Sequence, residues 1–217
     1  MVITAISDTH NKHEDLVLPG GDVLIHCGDF AGGFHPKPTM DFIDWLSSQD
    51  YTHKIFIAGN HDRIFEDELG RAQMRQYIDC FHENVHYLED SSVEIDGIKF
   101  YGSPWTPAFM NWGFQLHTLE ESEAKWAEVP EDTKVLITHG PAMGHRDQVD
   151  GKGKLLGCLS LLKRIRQVKP KYHVCGHIHS GQGMMRSQGT TFINAACLGE
   201  DYRYSNKQDY IEWTIKK

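Results

Sequence analysis

Residues 2–10 read VITAISDTH, a short apolar run that stops at two side chains able to bind a metal, Asp8 and His10. The same arrangement recurs in VLIHCGD (23–29), KIFIAGNH (54–61), VLITH (135–139) and YHVCGHIH (172–179). Short β-branched runs closed by a turn signal are typical of buried strands, and ligands of open α/β sheets bind beyond the carboxyl ends of the strands. The sequence therefore predicts five strands whose ends converge on one site.

The side chains at these five ends are carboxylates, an amide and imidazoles. They are Asp8, His10, Asp29, Asn60, His139, His177 and His179, with His61 next to Asn60. Two divalent cations held about 3.5 to 4 Å apart need such hard oxygen and imidazole ligands, with one carboxylate shared between them. We therefore predict a two-metal site suited to phosphoester chemistry.

Composition limits the class of protein. The 217 residues have a formal net charge of −8, which argues against a surface that binds an extended nucleic acid. The site residues span positions 8 to 179, so we expect residues 1–217 to form a single domain.

The five cysteines form no CxxC pair and predict no disulfide framework. Because no stretch has the length and apolarity of a signal peptide or a membrane span, we expect a cytoplasmic protein with no membrane partner.

Segments with helical periodicity lie between the strands. They cover residues 39–48 with Thr39 as the N-cap, residues 64–78, the residues after a capping box formed by Thr118 and Glu121, and residues 158–168. Asp62 precedes the second of these segments, and we interpret it as a helix cap.

Further strands are predicted between and after these helices. Asp96-Gly97 indicates a hairpin over residues 93–103, and segments 183–196 and 210–217 are typical of antiparallel strands. Strands therefore outnumber helices. We predict an α/β fold, an αββα four-layer sandwich of two mixed β-sheets with the helices outside and the metal site at the carboxyl ends of the strands.

The ordered motifs D-x-H, G-D, G-N-H-D, H and G-H-x-H, which span residues 7 to 179, resemble those of the calcineurin-like metallophosphoesterase family. The resemblance implies the same αββα sandwich and two divalent metal ions, drawn from Mn, Fe, Zn, Co and Ni, with Mn favoured for an assay. It implies that Asp8, His10 and His179 bind one ion, that Asn60, His139 and His177 bind the other, and that Asp29 bridges them.

The resemblance also implies a mechanism. A hydroxide that bridges the metals attacks phosphorus, and His61 protonates the leaving oxygen as the general acid. The longer second motif of the protein Ser/Thr phosphatases is missing, since the chain has GDFAGGF at residues 28–34. Residues 101–114, YGSPWTPAFMNWGF, resemble instead the metallophosphoesterase-domain-containing branch.

We therefore expect a hydrolase of small phosphoesters, with a phosphodiester such as a cyclic nucleotide favoured. A phosphomonoesterase, a nuclease and a non-catalytic scaffold of the same fold stay open as alternatives. The expected partner is a small phosphoester, which includes nucleotides, and the sequence does not predict the oligomeric state. The candidate substrate contacts are Trp105, Asn111, Trp112, Arg146 and Arg203, for which core packing or solvent exposure is the simpler reading. Cys27 and Cys175 lie inside predicted strands, where cysteine usually packs as a small apolar residue.

Overall fold

The first sheet is built largely from the N-terminal part of the chain. The computed structural model describes residues 1–149, 153–204 and 209–215. Strands β1 (Val2–Ile6), β2 (Gly21–His26), β3 (Tyr51–Phe56) and β4 (Val85–Tyr87) are parallel neighbours. β13 (Ile211–Thr214) pairs antiparallel with β1 and gives the order β13-β1-β2-β3-β4. The predicted return of 210–217 to the sheet is thus confirmed for residues 211–214, and residues 216–217 lie outside the described ranges.

The second sheet has the order β11-β12-β10-β9-β6-β5. Its strands are β5 (Ser91–Ile95), β6 (Ile98–Ser103), β9 (Val135–Thr138), β10 (Tyr172–Cys175), β11 (Gly183–Ser187) and β12 (Thr190–Asn194). The inner four strands are parallel, and both edge strands are antiparallel. Asp96 and Gly97 connect β5 to β6 with φ values of 51° and 75°, which confirms the predicted hairpin. After β6 in the chain, β7 (Thr106–Pro107) and β8 (Gln115–Leu116) form a small two-stranded parallel pair.

Three apolar layers hold the sandwich together. Between the sheets, side chains such as Ile25 and Ile55 of the first sheet join the same cluster as Ile137 and Val174 of the second. Strand residues that point outward join the helices: α1 (Pro36–Ser48) and α2 (Glu68–Phe81) cover the first sheet, and α3 (Leu119–Ala127) and α4 (Leu159–Val168) cover the second. Because both faces of each sheet are covered, the strands read as continuous apolar runs. The predicted αββα sandwich is confirmed.

The helix starts differ from the prediction at two places. α1 begins at Pro36 rather than after Thr39, because proline fits the first helical turn and the His35 side chain accepts from the Lys37 amide. In the second segment, residues 63–65 form a 3₁₀ turn, and α2 begins at Glu68 with Asp67 as its cap. The predicted capping box of Thr118 and Glu121 is confirmed at the start of α3.

Candidate metal centre

The five motif segments meet at the carboxyl edge of both sheets. Asp8, Asn60 and Asp29 follow strands of the first sheet, whereas His139 and His177 follow β9 and β10 of the second. A hydrogen bond from the His177 amide to Asp8 Oδ2, 2.8 Å long, joins the two sets of loops directly. The predicted convergence of five strand ends is therefore confirmed.

The backbone at this edge adopts a conformation that non-glycine residues rarely take. Asp8 and Asp29 both have φ of 56°, and His10 and His177 have φ of 43° and 66°. The left-handed region costs an L-residue roughly 1 to 2 kcal/mol and persists mainly where the surrounding structure imposes it. Its concentration at four motif residues indicates that the fold gives up stability to aim these side chains at one point.

Asp8, His10 and His179 form the first donor group, with one candidate ligand atom from each residue lying within 4.8 Å of the others. Asp8 Oδ1 is 3.6 Å from His179 Nε2. Asp8 Oδ1 and His10 Nε2 are buried without a hydrogen-bond partner. Buried polar atoms without partners are destabilising, and coordination to a cation would satisfy both. These residues therefore fit a metal ion.

Asp29, His139 and His177 form the second donor group under the same 4.8 Å criterion. Asp29 Oδ2 lies 3.4 Å from His139 Nε2. Asn60 joins this group, because its Oδ1 lies 2.9 Å from the same Nε2 atom. In the part of the chain that the structure describes, these two groups are the candidate metal sites, and together they contain every predicted ligand.

Backbone carbonyls hold two of the histidine rings in the orientation that a metal requires. His139 Nδ1 donates to the Cys27 carbonyl at 2.8 Å, and His179 Nδ1 donates to the Gly199 carbonyl at 3.0 Å. Each ring therefore directs Nε2 towards the carboxylates. A histidine that ligates a metal usually has its second nitrogen fixed in this way.

The electrostatics of the two groups favour bound positive charge. Burial opposes the ionisation of Asp29, but His139 outweighs burial and lowers the Asp29 pKa to about 2. At Asp8, burial again opposes ionisation, but His179 and His139 outweigh it and hold the Asp8 pKa well below its usual range. Burial would lower the pKa values of His139 and His179, but the carboxylates raise each to about 9. Histidine binds a metal as the neutral ring, so cation binding would release protons here.

His61 lies beside both groups without belonging to either. Its side chain is 33% exposed, and its Nε2 is 3.9 Å from Asp29 Oδ2. Its amide donates to Asp29 Oδ1 at 2.8 Å, which fixes the backbone next to the predicted bridging carboxylate. His61 therefore presents a partly exposed ring to the cavity described below.

Asp62 does not act as a helix cap, so that prediction was wrong. Its side chain makes no capping bond to the 3₁₀ turn and instead accepts from the amides of Asp29, Ala31 and Gly59, at 2.7, 3.0 and 2.8 Å. Burial and the nearby Asp29 raise the Asp62 pKa to about 7, against the effect of the amide bonds. The carboxylate therefore ties the Asp29 loop to the Asn60 loop.

A cavity of about 610 Å³ opens over the centre. We call its polar base the floor; it consists of His10, Asp29, Asn60, His61, His177 and His179. The rest of the lining comes from three loops, and its large apolar members are Phe109, Trp112, Leu155, Leu156 and Tyr202, which we call the apolar wall. Leu155, Leu156 and Tyr202 were not predicted, because they lie in loops without a motif or a periodic pattern.

Among the five predicted substrate contacts, Trp112 lines this cavity, and the other four lie outside its lining. Trp105 is partly buried, packs against the core and donates from Nε1 to Asp90. Arg146 donates to the Met184 carbonyl and lines a separate cavity. Asn111 and Arg203 are exposed outside the cavity lining.

Cys27 and Cys175 are buried in the core, as predicted. Burial raises the pKa of both thiols well above its ordinary value, so neither is activated as a nucleophile.

Comparison with known proteins agrees with this geometry. A family model described as calcineurin-like phosphoesterase matches residues 1–181. Metallophosphoesterase domain-containing protein 1 of Homo sapiens is 40% identical over 225 residues, which cover 95% of this chain and 69% of that protein, and the protein of that name from Mus musculus gives the same values. A crystal structure of TT1561 of Thermus thermophilus matches 89% of this chain and 88% of its own with a TM-score of 0.62 at 12% identity, a likeness of fold. In the described residues no helix has the length and apolarity needed to span a bilayer.

Proposed function

The chain belongs to the calcineurin-like phosphoesterase family, and from that premise we propose that it is a metal-dependent phosphodiesterase that acts on a small substrate. One observation carries the proposal: two donor groups, each with its candidate ligand atoms within 4.8 Å, lie at the base of one cavity beside a partly exposed histidine. A site of this kind provides both the charge and the proton that cleavage of a P–O bond needs.

The residues divide the work of holding the ions. Asp8, His10 and His179 would hold one divalent cation, and Asn60, His139 and His177 the other. Asp29 would contact both, because a carboxylate between two dications offsets their mutual repulsion and a neutral imidazole does not. When bound, two such cations neutralise phosphate oxygens and lower the pKa of a coordinated water.

His61 would supply the proton that the leaving oxygen requires. Hydrolysis places the oxygen of water on phosphorus, breaks one P–O bond and returns a proton to the departing oxygen. The His61 ring is exposed to the cavity, and the hydrogen bond from its amide to Asp29 fixes its backbone relative to the floor. Loss of a positioned general acid usually lowers the rate by about 10² to 10⁴-fold.

Three features support a small diester as the substrate. The cavity of about 610 Å³ has the size of a pocket for a small organic molecule, which leaves room for substituents on phosphorus. The net charge of −8 disfavours a polyanionic polymer. The missing phosphatase-type second motif, noted above, points away from dephosphorylation of proteins.

The first test compares bis-p-nitrophenyl phosphate with p-nitrophenyl phosphate, in the presence of Mn²⁺ and after chelation. We expect Mn²⁺-dependent hydrolysis with the diester cleaved faster. His61→Ala should retain bound metal, measured by elemental analysis. On a diester whose leaving alcohol is a weak acid and therefore needs the proton, such as a dialkyl phosphate, it should lose about 10² to 10⁴-fold in turnover, with a smaller loss on the p-nitrophenyl esters. His117→Ala is the matched control, because His117 is exposed and lies outside the cavity lining.

Each result that differs from these expectations would overturn a different part of the proposed function. Faster cleavage of the monoester would make the protein a phosphomonoesterase. A metal-loaded His61→Ala variant with full turnover on the diester of the weakly acidic alcohol would remove His61 from the role of general acid. Bound metal with no turnover on any phosphoester would favour the non-catalytic scaffold.

A further inference from the structure

The apolar wall is unusual because its large side chains are exposed beside a highly polar floor. Phe109 is 59% exposed, Leu155 43%, Leu156 37% and Tyr202 46%, and all four line the same cavity. Large apolar side chains that gather at one concave surface, rather than scattering singly, mark a place where a ligand covers them. A ligand that contacts only the floor would leave these side chains exposed to water. The wall therefore indicates that the ligand also has an apolar part.

Trp112 connects the wall to the reacting centre. Its ring centroid lies 5.1 Å from that of His61 and 6.1 Å from that of His177. Phe109 packs edge-on against Trp112 at 5.3 Å and extends the aromatic surface away from the floor. A group attached to a phosphorus atom above the floor would thus meet the indole first.

Tyr202 flanks the other side of the floor. Its ring lies 4.9 Å from that of His10 and 5.2 Å from that of His179. The floor is therefore bordered by Trp112 beside His61 and His177, and by Tyr202 beside the first donor group. Leu155 and Leu156 add aliphatic surface from a third loop.

Few polar groups are available on the wall to recognise a sugar or the edge of a base. Within the described residues, Lys154 and Glu200 are the charged residues of the lining outside the floor. Glu200 already accepts from the hydroxyl of Ser180 at 2.9 Å and from its amide at 3.3 Å. A polyhydroxylated substituent would have Lys154, the second Glu200 carboxylate oxygen and the Tyr202 hydroxyl as its side-chain partners outside the floor. Any hydroxyl group beyond their reach would lack a partner, at a cost in affinity.

We propose that the substrate is a phosphodiester whose non-leaving substituent is a flat apolar group, held against Trp112 and the apolar wall. The proposal rests on the phosphodiesterase function given above and names the class of substrate for the same site. The phosphate would contact the floor, and the apolar substituent would cover the exposed side chains of the wall.

Three diesters with the same leaving group test the proposal. Methyl, phenyl and thymidine-5′ esters of p-nitrophenyl phosphate all release p-nitrophenolate, so only the retained substituent differs. We expect the phenyl ester to have the highest kcat/KM with the Mn²⁺-loaded enzyme. Its preference over the methyl ester should fall by roughly tenfold in Trp112→Ala, the loss expected for one apolar contact in a pocket.

Further variants separate binding by the wall from damage to the floor. Leu155→Ser changes an exposed wall residue and should reduce the phenyl preference, whereas Leu155→Met should keep it. Phe81→Ala is the control, because Phe81 is 70% exposed and does not line the cavity. A uniform loss of rate on all three esters in Trp112→Ala would indicate an effect on His61 alone. If Leu155→Ser then also left the ratio of kcat/KM between the phenyl and methyl esters unchanged, the proposal would be contradicted. If Leu155→Ser lowered that ratio, the proposal would be supported.

A binding measurement distinguishes failure of this proposal from failure of the phosphodiesterase function. Calorimetry with the Mn²⁺-loaded protein should show tighter binding of phenylphosphonate than of methylphosphonate, and Trp112→Ala should remove the difference. Hydrolysis of all esters without a phenyl preference would overturn the apolar substrate and leave the function intact. Tighter, Trp112-dependent binding of phenylphosphonate without any hydrolysis would support the wall and overturn the function. A higher kcat/KM for the thymidine ester than for the phenyl ester in the hydrolysis assay would overturn the proposal.

Discussion

Replacement of Asp62 by alanine tests whether one buried carboxylate holds two loops of the centre together. The carboxylate accepts from three amides, of Asp29 and Ala31 in one loop and Gly59 in the other. A buried amide without a partner costs about 1 to 3 kcal/mol, so three would cost about 3 to 9 kcal/mol. Water that enters the vacated space would restore part of this loss, and we expect the free energy of unfolding to fall by about 3 to 5 kcal/mol.

The assay is urea unfolding followed by tryptophan fluorescence, together with the metal content of the folded protein. Asp67→Ala is the matched control, since Asp67 accepts one amide bond, from Gly70 at 2.7 Å, at the start of α2. Loss of such a cap typically costs about 1 kcal/mol. Asp62→Ala should also bind Mn²⁺ more weakly, because Asp29 and Asn60 would no longer be fixed relative to each other, whereas Asp67→Ala should bind normally.

An Asp62→Ala protein that loses no more stability than Asp67→Ala and binds Mn²⁺ as the wild type does would show that Asp62 does not hold the two loops together. Asp62→Asn gives a second measure, because an amide retains one oxygen acceptor of the same shape. We expect its stability to lie between those of the wild type and Asp62→Ala.

Two further predictions concern packing and pH. A Cβ atom at Gly59 would overlap the Asp29 carboxylate, so Gly59→Ala should lose bound Mn²⁺, and elemental analysis that finds a full complement would contradict this. Burial lowers the pKa of His173 to about 3, so between about pH 6.5 and pH 3 the folded protein binds fewer protons at this ring than the unfolded chain does. Stability should therefore fall with decreasing pH by about 1.4 kcal/mol per unit from this group, and His173→Gln should flatten the slope in urea titrations between pH 6.5 and 4.5.

The candidate metal ligands could be assigned to one place from the sequence because these residues combine two independent signals. Each ligand has a side chain suited to a metal, and each lies at or just past the end of an apolar run that reads as a strand. Parallel strands bring such ends together, so residues as distant as Asp8 and His177 could be assigned to one place before any contact was known. The conformation that aims them, with positive φ at Asp8 and Asp29, had no sequence signal, since neither residue is glycine.

The misplaced features share a physical cause, which is that a local pattern competes with tertiary contacts. Asp62 has the residue type and position of a cap, but three buried amides need an acceptor more than the exposed end of a short turn does. Thr39 could cap a helix, yet the prolines before it already fit the first turn. Arg146, a candidate substrate contact, donates to the Met184 carbonyl and lies outside the lining of the cavity over the centre. These outcomes depend on neighbours far along the chain.

The two sides of the apolar wall differ in which residues hold them: one side is hydrogen-bonded to a loop of the metal centre, and the other is held by Asp147. Beside Trp112, the Gly113 amide donates to the Asn60 carbonyl and the Phe114 amide donates to Glu66, both at 2.9 Å. This side is therefore bonded to the loop that carries His61. The leucine side is fixed by Asp147 instead, whose carboxylate accepts from the Gly157 amide at 2.9 Å and whose carbonyl accepts from Leu156 at 3.2 Å.

Because Asp147 belongs to neither donor group, a change on the leucine side should alter the choice of substituent while metal binding and proton transfer stay intact. A change at Trp112 should alter both the choice of substituent and the rate, because the indole packs against His61 itself. Comparison of the two sides therefore separates recognition of the substrate from catalysis. We therefore expect substitutions at Leu155 and Leu156 to change the choice of substituent while metal binding is kept.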